Sequence, residues 1–176
     1  MLANLRQALG VSLFFFVLLG LAYPIAETGI GQAFFGHQAN GSLTSYGSVL
    51  VGQTWPGPRW FQGRPDADNP TATGGTNLGP RSKALVNAVQ QQITRLKKEG
   101  IMPTPDLVTT SGSGVDPDIA PADAYAQVNA VAKARGLPAA VIRHLVDTEI
   151  HPAELGFLGS PYIDVLQLNE ALAALR

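Results

Sequence analysis

The sequence predicts an α+β soluble domain anchored by one N-terminal transmembrane helix. Three observations lead to this fold class. An uncharged apolar run fills residues 7–26, and apolar residues recur with helical spacing over residues 82–99. Further along the chain, strand-like and helical stretches follow one another without the regular alternation of a doubly wound sheet. The 176 residues are enough for one ordinary domain beyond the apolar run.

The composition excludes several classes of function. Charged residues make up 14% of the chain and the formal net charge is −1. A broad nucleic-acid binder needs clustered positive charge against the phosphates, so this balance argues against one. The chain has 0 cysteines, which excludes disulfides, cysteine-based metal sites and thiol nucleophiles.

The apolar run has the length and composition of a membrane span. Residues 7–26 contain no ionisable side chain. As a helix, about 20 residues reach roughly 30 Å, the thickness of the hydrocarbon core of a bilayer. We therefore expect a transmembrane helix over 7–26, a cytoplasmic N-terminus over 1–6 that includes Arg6, a juxtamembrane linker over 27–36 and an exported α+β domain over 37–176. Proline lacks a backbone donor, so Tyr23-Pro24 predicts a kink or a helix end.

A cleavable signal peptide is the competing interpretation of the same run. Gly20-Leu21-Ala22 offers a small-x-small cleavage site after an apolar stretch. The run is longer than a typical signal core, and Pro24 follows the cleavage point closely. These features favour a retained anchor, and both interpretations export everything after Glu27.

The first half of the exported part predicts turns, two short strands and one helix. Apolar or aromatic residues at 49–51 and 60–61 predict short strands between turns. Apolar residues spaced three or four apart predict a helix over 82–99, ended by Gly100. The side chains expected on its buried face are Leu85, Val86, Val89, Ile93 and Leu96.

The second half predicts two more strands and three helices. Residues 107–110 predict a strand, and Pro121 begins a helix that ends at Arg135 with Gly136 as its cap. A further helix follows Pro138, a strand is expected at 162–165, and a closing helix at 166–175. The expected buried faces are Ala122, Tyr125, Val128 and Ala132 in the first of these helices, and Val141, Ile142, Leu145 and Val146 in the next.

No pattern in the sequence predicts catalytic or metal-binding residues. Residues 74–82 have the glycine spacing of a phosphate loop, but Pro80 and Arg81 stand where the lysine and the hydroxyl residue should be. Asp116, Asp118 and Asp123 do not have the spacing of a calcium loop, and we interpret them as turn and cap residues. The three histidines are widely separated and form no zinc motif.

A set of ordered sequence blocks resembles a known family. After the apolar run come QANGS at 38–42, GQ at 52–53, GRP at 63–65, GGTNLGP at 74–80, SGSGVDP at 111–117, ARGLP at 134–138, LGFLG at 155–159 and VLQLN at 165–169. In this order they resemble the C subunit of the Kdp-type potassium-transporting ATPase nearly end to end.

The resemblance implies a location, partners and one nucleotide-associated residue. It implies a single-pass protein of the bacterial inner (plasma) membrane, with a channel-like potassium-binding subunit, a P-type ATP-hydrolysing subunit and membrane lipid as partners. ATP and potassium would be handled by the complex, and the residues indicate no cofactor bound to this chain. The family is described as a catalytic chaperone that raises ATP affinity, and the matching glutamine is Gln127. Asp118 and Ala120 depart from the histidine and serine expected there.

The leading hypothesis is a non-catalytic accessory subunit that assists assembly of the transporter and raises ATP use by its P-type subunit. Leu155, Phe157 and Leu158 form a possible docking patch. Arg64, Asn77 and Asp116 lie in or next to the family blocks and are expected to shape loops.

Two alternatives remain open on the sequence. One is direct nucleotide binding by a cytoplasmic soluble domain, since Gln127 cannot reach cytoplasmic ATP if it is exported. The other is an exported hydrolase or metal-binding protein with a cleaved signal.

Overall fold

The computed structural model describes residues 2–66, residue 71 and residues 73–175. The chain forms two compact units, one ending at Leu43 and the other beginning at Thr44. The regular elements of the first unit are all helical, whereas the second combines helices with a small antiparallel sheet. A mixture of helix and sheet was expected, together with one apolar N-terminal helix, and both are present.

The first unit is dominated by one helix of 33 residues from Leu2 to Phe34. It comprises α1 (Leu2–Val17), a π-helical turn (Leu18–Ala22) and α2 (Tyr23–Phe34), and the short helix α3 (Gly36–Ala39) follows. Its mean hydropathy is 2.2 and none of its residues is buried. At 1.5 Å per residue it is about 50 Å long, more than the roughly 30 Å needed to cross the hydrocarbon core.

The structure accommodates Pro24 without ending the helix. In the π turn just before it, the N–H of Tyr23 donates to the carbonyl of Leu18, five residues back. A proline inside a helix lacks its own N–H and crowds the carbonyl four residues earlier, here that of Gly20, and a wider turn relieves both problems. Of the two outcomes expected at Tyr23-Pro24, a kink or a helix end, the helix end is therefore wrong, and the segment expected to be a linker is helical as far as Phe34.

The second unit contains five helices and two strands within the described residues. They are α4 (Lys83–Lys98), α5 (Pro105–Val108), β1 (Asp118–Ile119), α6 (Pro121–Arg135), α7 (Ala139–Thr148), β2 (Ile163–Asp164) and α8 (Val165–Ala174). The strands pair antiparallel, with Asp118 opposite Asp164 and Ile119 opposite Ile163. The predicted helices correspond to α4, α6, α7 and α8, and the predicted strand at 162–165 forms over two residues.

Three predicted strands are wrong. Residues 49–51 form a turn in which the N–H of Val51 bonds to the carbonyl of Ser48, while Trp60 lies in a bend and Phe61 belongs to no strand. The first two residues of the strand expected at 107–110 belong instead to α5, and the other two form no strand. Pro105 suits the first position of a helix because its φ is already fixed, and the Thr109 hydroxyl donates to the Pro105 carbonyl at 2.7 Å.

The main core of the second unit surrounds α6, which packs on α7, and α7 packs on α8. Its large, fully buried apolar side chains include Phe61, Val128, Ile142 and Leu168. Leu96, Ile101, Leu107 and Ala130 form a second, smaller cluster.

The predicted buried faces need correction. In α4 only Leu96 is buried, and Val86 is 59% exposed. In α6 Ala122 is exposed, while Ala124, Gln127 and Val131 are buried, and in α7 Val141 is 40% exposed. Helical spacing identified these helices, but it did not show which of their apolar residues find a partner within this chain.

Candidate docking site

Two buried side-chain amides hold the segment Phe61–Gln62, which belongs to no helix or strand. The side chain of Asn169 on α8 accepts the Phe61 N–H and donates to the Phe61 carbonyl, both at 2.9 Å. The side chain of Gln127 on α6 accepts the Gln62 N–H at 2.7 Å and donates to the Gln62 carbonyl at 2.9 Å. Both amides are fully buried. We call this arrangement the amide clamp; it supplies the hydrogen bonds that a neighbouring strand would supply in a sheet.

The carboxylate of Asp66 organises the loop that contains the SGSGVDP block. One oxygen accepts the Ser111 N–H at 2.7 Å, and the other accepts the Ser111 hydroxyl at 2.7 Å and the Asp116 N–H at 2.9 Å. The Ser111 hydroxyl in turn accepts the Gly114 N–H at 2.9 Å. The Asp116 carboxylate accepts the Asp118 N–H at 3.1 Å, two residues further along the chain.

Close backbone approaches fix the same loop against two other family blocks. The Gly52 N–H donates to the Val115 carbonyl at 2.8 Å, and the Gly74 N–H donates to the Ser113 carbonyl at 2.6 Å. Gly114 has a φ of +70°, and a Cβ there would lie 2.6 Å from the Gly74 carbonyl oxygen. The chain therefore requires glycine at this crossing.

Arg64 and Asn77 also lie in this loop assembly or beside it. The Arg64 guanidinium pairs with Asp106 at 2.9 Å, the one ion pair found within the described part of the chain, and reaches Thr109 at 3.4 Å. Arg64 thus connects the GRP block to α5. Asn77 has a φ of +54°, a left-handed conformation that asparagine tolerates better than most residues.

An apolar loop projects from the second unit at residues 155–159. Leu155 is 81% exposed, Phe157 74% and Leu158 51%. Glu154 and Leu158 exchange two backbone hydrogen bonds of 2.9 Å at its base, and Leu155 itself has a φ of +53°. A leucine in this region carries about 1–2 kcal/mol of strain. The structure therefore holds apolar side chains outward on a hydrogen-bonded loop, which is typical of an interaction site.

Two carboxylates face each other across the small sheet. Asp118 lies opposite Asp164, and the ring of His151 stacks on Tyr162 at 4.9 Å next to them. Burial, followed by the charges of Asp164 and Asp116, raises the pKa of Asp118 to about 6. Burial also raises the pKa of Asp164, whose carboxylate accepts the Gln167 N–H at the start of α8. In the described residues no three His, Asp or Glu side chains group as a metal site would require.

Comparison with known proteins identifies the family. The family profile "KdpC: K+-transporting ATPase, c chain" matches residues 5–174. A relative from Sorangium cellulosum is 47% identical over 190 residues, which cover 100% of both chains. A relative from Caulobacter vibrioides is 45% identical over 186 residues, covering 99% of this chain and 94% of the relative. Both carry the name "Potassium-transporting ATPase KdpC subunit".

This chain belongs to the KdpC family. The family predicted from the ordered sequence blocks is therefore confirmed. The residue that the resemblance associates with nucleotide, Gln127, is part of the amide clamp in this KdpC chain, and both polar atoms of its side chain bond to Gln62. A nucleotide contact would require this side chain, which is fully buried, to become accessible.

Sequence reasoning gave no role to Gln62, Asp66 or Asn169. One signal was available for the amide clamp. Asn169 shares a helix face with Val165 and Leu172, and Gln127 shares one with Ala124 and Val131, all of them buried apolar residues. An amide on an apolar helix face indicates a buried polar group that needs a hydrogen-bond partner.

Ala120 stands where the family resemblance predicts serine, and this difference affects how α6 begins. Alanine has no side-chain acceptor, so the start of α6 relies on Asp123, whose carboxylate accepts the Ala120 N–H at 3.1 Å. Asp123 is itself buried, and burial raises its pKa.

Proposed function

We propose that this chain is a non-catalytic accessory subunit of an ATP-driven potassium uptake complex in the bacterial inner membrane. Residues 1–6 lie in the cytoplasm, the apolar helix crosses the membrane, and the second unit lies outside. The domain docks on the channel-like subunit, assists assembly of the complex and raises ATP use by the P-type subunit. The observation that carries this proposal is the exposed apolar loop at 155–159 in a chain that also has a 33-residue apolar helix.

The apolar loop has enough surface to contribute to docking. Full burial of one leucine or phenylalanine side chain contributes about 1.5–3 kcal/mol. The exposed fractions of Leu155, Phe157 and Leu158 are 81%, 74% and 51%, or about two whole side chains. Covering them would therefore stabilise the complex by roughly 3–6 kcal/mol. The hydrogen bonds at the base of the loop reduce the entropy lost on binding.

A membrane anchor makes such a small patch sufficient. Once the helix is held beside its partners in the bilayer, docking of the domain becomes an intramolecular event within the complex. The effective concentration of a tethered module reaches the order of millimolar. At that concentration the loop is docked for more than half of the time if docking contributes more than about 4 kcal/mol, although it would bind only weakly as a free domain.

The effect on ATP use is indirect in this proposal. Gln127 is fully buried and both its polar atoms are occupied, which supports coupling through the complex and not contact with nucleotide. Such coupling requires that the docked chain favours one conformation of the complex, the one that binds ATP more tightly.

Co-purification of the complex tests the proposal. Leu155→Ser and Phe157→Ser should reduce the amount of this chain that stays with its partners and lower potassium-dependent ATPase activity. Val86→Ser makes a comparable change at another exposed apolar side chain and serves as the matched control. Removal of residues 1–26 should abolish retention. Full retention and full activity in both loop variants and in the truncated chain would refute the proposal.

A further inference from the structure

A basic groove lies between the end of α4 and the C-terminal half of α6. It has a volume of about 820 Å³ and is lined by Arg95, Lys97 and Lys98 from α4 and by Lys133 from α6. These are 4 of the 12 basic residues in the chain. Nothing in the proposed docking function uses this surface, which is formed by residues distant from the apolar loop in sequence.

The positive charge of the groove is not balanced locally. Glu99 is the one acidic side chain in its lining, so the formal charge is +3, although the whole chain is −1. The C-termini of α4 and α6 contribute negative dipole ends of roughly −0.5 each, which still leaves about +2. The ion pair seen in the described residues joins Arg64 to Asp106 and involves none of the cations that line the groove.

Neighbouring arginines donate hydrogen bonds to backbone carbonyls beside the groove, so its lysines remain available to bind a ligand. Arg59 donates to the Ala134 carbonyl at 3.1 Å, while Arg135 donates to the Arg59 carbonyl at 2.8 Å and to the Leu172 carbonyl at 2.9 Å. These guanidinium groups hold backbone oxygens next to the groove. A ligand would therefore meet lysine ammonium groups on side chains that the structure uses for nothing else.

Small residues leave space between the cations. Gly100, Ala130 and Ala134 line the groove together with Pro58. Its volume falls within the roughly 300–1,000 Å³ of typical ligand sites. Ammonium and guanidinium groups form their strongest hydrogen bonds with phosphate and carboxylate oxygens, and the groove provides them from two helices at once.

We propose that this groove binds a phosphate-bearing anion, supplied either by an anionic lipid headgroup or by a soluble phosphate compound. The anion would carry at least two negative charges, or hydrogen-bond acceptor oxygens on two sides. Two helices contribute cations, so the ligand would span Lys133 on one side and Lys97 or Lys98 on the other. Its binding would weaken as salt is added, because the cations are exposed to solvent.

Lysine acetylation of the full-length chain in nanodiscs tests the site and distinguishes the two sources. Acetylation of each lysine is followed by mass spectrometry in phosphatidylcholine nanodiscs, with or without pyrophosphate, and in nanodiscs containing phosphatidylglycerol. Lys83, exposed at the start of α4, is the internal control. Protection of Lys97, Lys98 and Lys133 relative to Lys83 by pyrophosphate alone indicates a soluble ligand. Protection by phosphatidylglycerol alone indicates a headgroup, and protection by both supports the site for either source.

The proposal would be overturned if pyrophosphate and phosphatidylglycerol changed the acetylation of the groove lysines no more than that of Lys83. A second measurement does not depend on protection. The double variant Lys97→Gln/Lys133→Gln should weaken pyrophosphate binding by on the order of tenfold, measured by calorimetry on the full-length chain. Lys83→Gln should leave the affinity unchanged. Where pyrophosphate protects the groove lysines, equal pyrophosphate affinity in the double variant and in Lys83→Gln would also overturn the proposal.

Discussion

Asn169→Ala should strongly destabilise the second unit. In the folded chain the Asn169 amide satisfies both the N–H and the carbonyl of Phe61, and the residues on both sides are fully buried. Alanine would leave those two backbone groups without partners in the core. Each unsatisfied buried group costs about 1–3 kcal/mol, so we expect a loss of about 4 kcal/mol in the free energy of unfolding. That is a large part of the roughly 5–15 kcal/mol that stabilises an ordinary domain.

The chain provides its own probe for this measurement. It has 2 tryptophans, Trp55 and Trp60, and both belong to the main core or pack against it. Urea unfolding of the full-length chain in a non-ionic detergent, followed by tryptophan fluorescence and extrapolated linearly to zero urea, gives the free energy of unfolding. Asn87→Ala, which removes the same amide at an exposed position of α4, is the matched control and should change stability by no more than about 0.5 kcal/mol.

The same experiment on Gln127 separates a structural role from a nucleotide-binding role. Gln127→Ala should destabilise by a similar amount, because it leaves the N–H and the carbonyl of Gln62 without hydrogen-bond partners in the core. The two substitutions together should cost less than their sum, since they release adjacent residues of one segment. Stability equal to that of Asn87→Ala in both single variants would refute the amide clamp. Unchanged stability with impaired ATP use in Gln127→Ala alone would favour nucleotide contact.

Three further perturbations test the loops and the small sheet by the same urea assay. Asp66→Asn should cost about 2–3 kcal/mol, because the new NH₂ group cannot accept the hydrogen bonds from Ser111 and Asp116, and equal stability would contradict this. Gly114→Ala should cost about 3 kcal/mol from strain and from contact with the Gly74 carbonyl, whereas Gly112→Ala in the same loop should be nearly neutral; equal effects would contradict the close approach. The folded pKa of Asp118, about 6, lies above its ordinary value of 3.8, so wild-type stability should fall as pH rises from 4 to 6. Asp118 is partly exposed, so Asp118→Asn should flatten this slope and gain only about 1 kcal/mol at pH 7.5; an unchanged slope would contradict the assignment.

Local signals in the sequence predicted the helices well. Pro121 and Gly136 define the two ends of α6, because proline suits a helix start and glycine a left-handed cap, and the cap has a φ of +71°. The same kind of local reasoning failed where two outcomes were both favourable. Residues 107–110 contain strand-forming side chains, but Pro105 begins a helical turn just before them. That turn includes Leu107.

Contacts between distant residues could not be predicted from one sequence. The amide clamp joins residues 65 and 108 positions apart. Likewise the helical spacing in α4 identified its apolar face but could not show that Val86 would remain exposed. The apolar loop at 155–159 could be predicted because its signal is local: apolar residues between glycines with no helical or strand periodicity.

The side of the membrane on which the second unit lies tests the account most directly. Alkaline phosphatase fused after the last residue is active only outside the cytoplasm, and green fluorescent protein fused at the same place fluoresces only inside it. The account predicts an active phosphatase, a dark fluorescent protein, and a fusion that keeps its original N-terminus and stays with the membrane. An inactive phosphatase with a fluorescent partner fusion, or a mature chain that begins near Tyr23, would contradict it.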